Sequence, residues 1–355
     1  MERPDLNVVF IVYGELDRRS GGFLYDDHLR RRLEDRGHTV TMVSQKQGRL
    51  FSLLRQNGRR FRCRITEESP DLILADELNH PSLFMAFRRL NRSGFVTAAV
   101  VHHLRYLESL PFLEKKLVSW MERSFLKSVH GYIANSRNTQ ISVRHLIGTS
   151  AIPSRVVTPG ADNTFGEPRE PMEGLKVLFV GNLIPRKGLD RLMRALETIN
   201  EASWELDIVG DNSVDIRYAE HCRTSFSHLV ENGMVRFHGR IDDEELDYIR
   251  SRCDVLAVPS DMEGFGIVYL EAMRAGLIPI GSQNGGAEEL IRHGVDGFLI
   301  SPEKTDYLAE ILHRLATDSK LRVRLSKAAL ERSGEFPNWE KTMDTAVDFL
   351  EGMVR

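Results

Sequence analysis

The chain has 355 residues, which at roughly 150 residues per domain is enough for two domains with substantial cores. A composition of 41% apolar and 28% charged residues excludes a disordered chain or a collagen-like fibre. The net charge of −3 hides an asymmetry: residues 1–165 carry 25 Lys+Arg against 17 Asp+Glu, and the remainder 23 against 34. Such segregation points to two domains with different external tasks. Cys63, Cys222 and Cys253 lie far apart without a C-x-x-C pair, which argues for a reducing compartment and against disulfides or structural zinc. The opening MERPDLNVVF has no cleavage-type small-residue pattern, and no apolar run approaches the roughly 20 residues of a membrane span. A soluble, cytoplasmic protein is expected.

In chain order, NVVFIVYG (7–14) is a near-continuous apolar run of the kind found in buried parallel strands. Tyr25–Arg36, with Leu29 and Leu33 four apart and Gly37 at its end, predicts an amphipathic helix. Strands follow at HTVTMVSQ, DLILAD (71–76) and FVTAAVVHH (95–103), then a long helix-compatible stretch over Leu104–Val129, then the strand GYIANS and the turn-ended VVTPGAD (156–162). After a polar, Pro-containing linker (165–176) the alternation restarts. KVLFVG, WELDIVG, MVRFHG, DVLAVPS, LIPIGS and GFLIS are its strands, with helices over 188–199, 243–251 and 267–275 and a helical tail broken at Phe336-Pro337-Asn338. Strands separated by helices are βαβ units, so the predicted architecture is α/β: two doubly wound, Rossmann-like domains in tandem. The boundaries are 1–165, 166–335 and a last segment 336–355. In such sheets ligands bind beyond the carboxyl ends of the strands.

Four segments in those positions carry chemistry. GNLIPRKGLDRL (181–192) places Arg186 and Lys187 ahead of a helix opened by Gly188; two cations beside a helix N-terminus suit a phosphate or diphosphate, or form a solvated basic pair. VPSDMEGFGIVYLEAMRAG (258–276) places Glu263 in a loop, the turn Gly264-Phe265-Gly266 after it, and Glu271 in the following helix. Two ionised acceptors at fixed separation suit a polyhydroxylated ligand, one gripping a ribose and the other a sugar; a general acid and an exposed helix face are the alternatives. VVHHLRY (100–106) puts His102 and His103 on alternate faces of a strand end, as a ligand contact or as satisfied structural histidines; no metal ligation is expected of the pair. Gly21-Gly22 is expected to form a turn that lets backbone approach a phosphate or sugar, or simply a flexible loop. The basic stretch RQNGRRFRCR, with Arg55, Arg59, Arg60, Arg62 and Arg64, is either a surface for anionic headgroups or acceptors, or a solvated helix face or loop. No G-x-G-x-x-G follows a strand, and no P-loop or G-x-S-x-G occurs, which argues against dehydrogenase, P-loop and hydrolase chemistry.

In their order and over nearly the whole chain, GNLIPRKG, EGFGIVYLEAMRAG, NGGAEELI (284–291) and HGVDGFLISP, with Gly-Gly, VVHH, ANS and PGAD in the first half, resemble glycosyltransferase family 4, retaining enzymes of GT-B fold whose two domains face across a cleft. The resemblance implies that Arg186 and Lys187 hold the donor diphosphate, that Glu271 binds the ribose, and that Glu263 with the backbone of Gly264, Phe265 and Gly266 binds the donor sugar. Arg240 would lie near the nucleobase, and Gly21, Gly22 and Asn182 would line the donor. His102 aligns with the family's cleft histidine, with His103 as the alternative by a one-residue shift. Asn182 stands where many members have arginine, which leaves the phosphate charge to Arg186 and Lys187. The last helix, after Pro337, is expected to return to the first domain.

The implied reaction moves a sugar from a nucleotide diphosphate donor, a UDP- or GDP-sugar, to an acceptor hydroxyl with retention of configuration and without metal or other cofactor. Its partners would be that donor and a glycan, lipid-linked or small-molecule acceptor, with no nucleic acid. The basic first half offers peripheral contact to the inner face of a membrane. The alternatives are a nucleotide-sugar epimerase of the same fold and a non-catalytic nucleotide-sugar-binding protein.

Overall fold

The computed structural model describes residues 5–13, 21–45, 58–149, 151–161, 166–168, 173–199 and 203–354. Gly14, Arg55, Asp162 and parts of the expected linker lie outside the described residues. The chain divides into two units, residues 1–160 with 338–355, and residues 161–337.

The first unit is built on β1 (Asn7–Tyr13), β2 (Thr39–Gln45), β3 (Leu72–Asp76), β4 (Val96–Val101), β5 (Gly131–Ala134) and β6 (Ser154–Val156), in the order β2-β1-β3-β4-β5-β6. The second carries β7 (Leu175–Val180), β8 (Trp204–Val209), β9 (Val235–Gly239), β10 (Val255–Ala257), β11 (Ile278–Ser282) and β12 (Phe298–Ile300), in the order β12-β11-β10-β7-β8-β9. All these pairings are parallel. β3, β5, β10 and β11 are buried at every position, because a parallel sheet is covered on both faces and selects uninterrupted apolar runs. Each unit has its own apolar core.

Several local expectations are corrected. Gly21 and Gly22 are not a turn; they are the first residues of the helix Gly21–Asp35. β4 stops at Val101, so both histidines lie beyond the strand. Leu104–Val129 is not one helix: a short turn over Arg105–Leu107 precedes Pro111, and the helix Phe112–Leu126 starts only after it. Proline disfavours helical backbone in the residue before it, so a helix cannot run through this point undisturbed. Arg59, Arg60, Arg62 and Arg64 lie on a helix, Arg59–Thr66. Helices His80–Arg92 and Arg137–Ile147, the latter capped by Ser136 Oγ accepting from the Thr139 N–H at 3.0 Å, escaped the pattern.

The last helix, Trp339–Val354, packs on the helix Gly21–Asp35 of the first unit. Trp339 stacks on His28 with ring centroids 4.1 Å apart and meets Tyr25 edge-on at 6.1 Å. Arg32 grips Asp344 through two parallel bonds of 2.9 and 2.8 Å, and Arg36 donates to Glu351 at 2.7 Å. Gly160 permits this return, because a Cβ there would lie 2.4 Å from the Trp339 backbone nitrogen. Gly160→Ala must push backbone against backbone, and overpacking of this kind costs about 1–3 kcal/mol. A fall in thermal unfolding midpoint relative to wild type checks this; an unchanged midpoint refutes it.

Candidate functional site

In the second unit, β7 and β10 are hydrogen-bonded neighbours, and the strand order reverses between them. The loops leaving their carboxyl ends therefore meet at a topological switch point, where open α/β sheets bind ligands. The loop after β7 carries Arg186 and Lys187 in the short turn Pro185–Lys187; the loop after β10 carries Glu263. Lys187 Nζ donates to Glu263 Oε1 at 2.6 Å, and Ser260 Oγ donates to the same oxygen at 2.5 Å. Arg186 Nη1 donates to the Met262 carbonyl at 2.8 Å, while the Asp261 N–H donates to the Arg186 carbonyl at 2.8 Å.

Glycines let these backbones approach. Gly188 has φ +70°, and a Cβ on it would lie 2.3 Å from the Pro259 carbonyl oxygen. Gly285 has φ +109°, and its Cβ would lie 2.0 Å from the Glu263 carbonyl oxygen, which accepts from the Gly286 N–H at 2.9 Å. Left-handed backbone and the absence of a side chain are both required at such positions. NGG (284–286) thus acts as the clamp on the Glu263 loop, a role that the motif's sequence did not disclose; Ser260 is likewise new.

Burial opposes charge on Glu263, but the cations Lys187 and Arg186, with hydrogen bonds from Lys187 and Ser260, prevail and hold its carboxyl at about 2. Glu263 is therefore an ionised acceptor at neutral pH. Burial, helped by Arg186, lowers Lys187 from the ordinary lysine value, against the pull of Glu263. Two cations, one fixed carboxylate and the start of the helix Ile267–Arg274 just beyond Gly266 can together hold an anion and orient hydroxyl groups.

The other expected residues of the second unit lie in the core, on a helix or toward the surface. Phe265 is buried and meets Phe336 edge-on, so its side chain belongs to the core. Glu271, in the second turn of the helix Ile267–Arg274, pairs with Arg250 Nη2 at 3.3 Å. Asn182 is half-buried and its carbonyl accepts from the Ile184 N–H; Arg240 is exposed beyond β9.

In the first unit, His102 and Asp76 follow or end the adjacent strands β4 and β3, and Asp26 comes from the helix Gly21–Asp35. His102 is buried, with Nε2 at 3.0 Å from Asp26 Oδ1, and its ring edge lies against Gly22, where a Cβ would meet Cδ2 at 3.2 Å. His103 instead pairs with Glu108 at 3.0 Å. Burial would discharge His102, but Asp26, Asp76 and Glu77 surround it and push it up to about 9. Burial also raises all three carboxyls, Asp76 to about 7. Asp26, Asp76 and His102 have ligand atoms within 4.8 Å of one another, the one such group among the described residues. A protonated imidazole has no lone pair for a metal, so at neutral pH a proton is the competing occupant. Sequence reasoning missed Asp26, Asp76 and Glu77 because only the pairing of β3 with β4 and the helix Gly21–Asp35 laid beside them bring these residues to His102.

Comparison with known proteins gives the following. Residues 161–332 match the model of the glycosyl transferases group 1, and residues 21–165 that of Glycosyltransferase Family 4. A GDP-mannose-dependent alpha-(1-6)-phosphatidylinositol monomannoside mannosyltransferase of Mycobacterium tuberculosis is 31% identical over 185 residues, 50% of this chain and 47% of the relative. The chain spans about half the length of the curated relatives it matches. Among solved structures, sucrose-phosphate synthase from Thermosynechococcus elongatus superposes with a TM-score of 0.81 at 21% identity, over 96% of this chain and 98% of the other. Anabaena HepE, in complex with UDP and glucose, superposes with a TM-score of 0.76 at 20% identity, over 98% and 100%.

The His102 cluster yields a pH prediction. Its folded value, about 9, lies above the unfolded value near 6.5. The imidazolium therefore contributes stability that is fully present below about pH 6.5 and lost as pH rises through about 9. An NMR titration is expected to find the His102 midpoint near 9 in wild type and clearly lower in Asp26→Asn. Equal midpoints would remove Asp26 as the cause.

Proposed function

Since the chain belongs to the glycosyltransferases of family 4, with their GT-B fold, we propose that it transfers a sugar from a nucleoside diphosphate donor to an acceptor hydroxyl with the anomeric configuration retained. The observation that carries this reading is the convergence of Arg186, Lys187 and Glu263 where the strand order reverses.

In this reading Arg186 and Lys187 receive the diphosphate. Lys187 has three N–H donors, so it can keep Glu263 while bonding a phosphate oxygen. As the bond from sugar to phosphate breaks, negative charge grows on the leaving oxygen, and prepositioned cations stabilise that state more than the ground state. Glu263, fixed by Ser260 and the Gly285-Gly286 backbone, accepts hydrogen bonds from the sugar hydroxyls; the backbone of Gly264–Gly266 lies beside them. Glu271 is assigned the ribose and Arg240 the surroundings of the base. Asn182 lines the donor. Glu263 is held ionised as a hydrogen-bond acceptor, so the leaving phosphate is the group that takes the acceptor's proton during attack on the same face. With two side-chain cations carrying the phosphate charge, the reaction is proposed to need no divalent metal. The donor class has support from the M. tuberculosis relative, which is GDP-mannose-dependent, and from Anabaena HepE, solved with UDP and glucose.

The test is product formation from a panel of UDP- and GDP-sugars, prefiltered by thermal shift, since a binding donor raises apparent stability. Lys187→Ala and Glu263→Gln are expected to reduce turnover by about 10²–10³-fold, the usual loss for one charge-stabilising contact, with circular dichroism unchanged. Activity should survive EDTA, and NMR of the product should show the donor's anomeric configuration. Near-wild-type turnover in either variant refutes the site, and an inverted product refutes the reaction course.

A further inference from the structure

The helix Phe112–Leu126 is amphipathic toward solvent as well as toward the core. Val118, Met121, Phe125 and Leu126 are buried against the first unit. On the opposite side Phe112, Leu113, Leu117 and Trp120 are 69%, 78%, 41% and 56% exposed. Leu113, Leu117 and Trp120 stand at i, i+4 and i+7, so they form one continuous stripe. Lys116, Arg123 and Lys127, at i, i+7 and i+11, run along its flank, all exposed. Lys116 Nζ lies 4.3 Å above the Phe112 ring. The helix His80–Arg92, packed beside this one through Phe84 against Trp120 and Phe87 against Phe125, adds exposed Met85, Arg88 and Arg89.

We propose that this helix face docks the protein onto the surface of a bilayer containing anionic lipid. The chemistry fits in both respects: large apolar and aromatic side chains enter the headgroup–acyl boundary, while flanking cations meet lipid phosphates. Among the described residues no helix is long and apolar enough to cross a membrane, so the contact is a helix lying in the interface. A second copy is a poorer occupant, since a two-fold interface would set the same row of cations against itself. The inference differs in place from the basic stretch 55–64: among its described residues, 58–64, no large apolar side chain is exposed. It is also independent of the transferase reading, because vesicle binding is measured without turnover.

The measurement is flotation of the full chain with vesicles of phosphatidylcholine alone and of phosphatidylcholine mixed with phosphatidylglycerol. Trp120 supplies a second readout. Trp204 and Trp339, the other two tryptophans, are buried, so a blue shift on binding reports Trp120 entering an apolar medium. Binding is expected only with phosphatidylglycerol present, weakening as salt is raised. Lys116→Glu with Arg123→Glu should weaken it by about thirtyfold or more, given roughly fivefold for each cation lost. Leu113→Ser with Leu117→Ser should abolish the blue shift while the thermal midpoint stays at the wild-type value. Absence of vesicle binding overturns the proposal, as does equal binding by wild type and both variants. So does a dimer that the leucine variant dissolves while vesicles are not bound.

Discussion

A lysine–glutamate contact, with the carboxylate buried and the lysine half-buried, is the constraint around which the second unit is arranged. Taking two charges out of water costs several kcal/mol per ion, and attraction repays this only when geometry is exact and the remaining valences are met. Lys187 and Glu263 satisfy that condition through their surroundings. They stand on loops leaving neighbouring strands, Ser260 bonds the same carboxylate oxygen, and Arg186 adds a second cation while tying itself to the Met262 carbonyl. The glycines follow from the same demand: a side chain at Gly188 would force the loops after β7 and β10 apart, and one at Gly285 or Gly286 would push the loop after β11 off the Glu263–Gly264 backbone. A ligand reaching this place meets charges already oriented, so little reorganisation accompanies binding.

The first unit solves the opposite problem with similar architecture. There a single imidazole sits among Asp26, Asp76 and Glu77 at the ends of β3 and β4. Acidic groups outnumber the cation, burial raises every carboxyl, and the histidine keeps its proton to neutralise them in part. In the second unit cations outnumber the acid, and the acid is driven far down. Two parallel sheets thus hold strand-end clusters of opposite make-up, carboxyls outnumbering the cation in one and cations the carboxyl in the other, with Asp26 supplied by a helix and Asp76 by the end of β3.

The sheets were legible because buried parallel strands need long apolar runs, and NVVFIVYG, DLILAD and KVLFVG supply them. Helix limits were less so. His80–Arg92 hides behind Pro81, which normally interrupts a pattern but here occupies the first turn, where its missing N–H costs nothing. Arg186, Lys187 and Glu263 could be picked out because each follows a strand within a short, glycine-marked loop. Asp26 and Asp76 could not, being 76 and 26 residues from His102 with no spacing rule to link them. Only the register of β3 against β4, and a helix laid beside them, makes them neighbours. The pairing of Glu271 with Arg250 likewise depends on the packing of two helices and leaves no trace in local sequence.

The chain's division has a consequence for the order of assembly. Residues 161–337 are contiguous and complete their unit as they leave the ribosome, whereas the unit formed by residues 1–160 lacks its closing helix until 338–355 have been made. Trp339, Asp344 and Glu351 then reach back to His28, Arg32 and Arg36 across the entire intervening sequence. Closing so long a loop is slow compared with local folding, but the entropic cost grows only logarithmically with length. If the intervening residues have already compacted, the ends to be joined are held nearer than in an open coil. Synthesis from the amino terminus therefore begins one unit, finishes the other, and seals the first last.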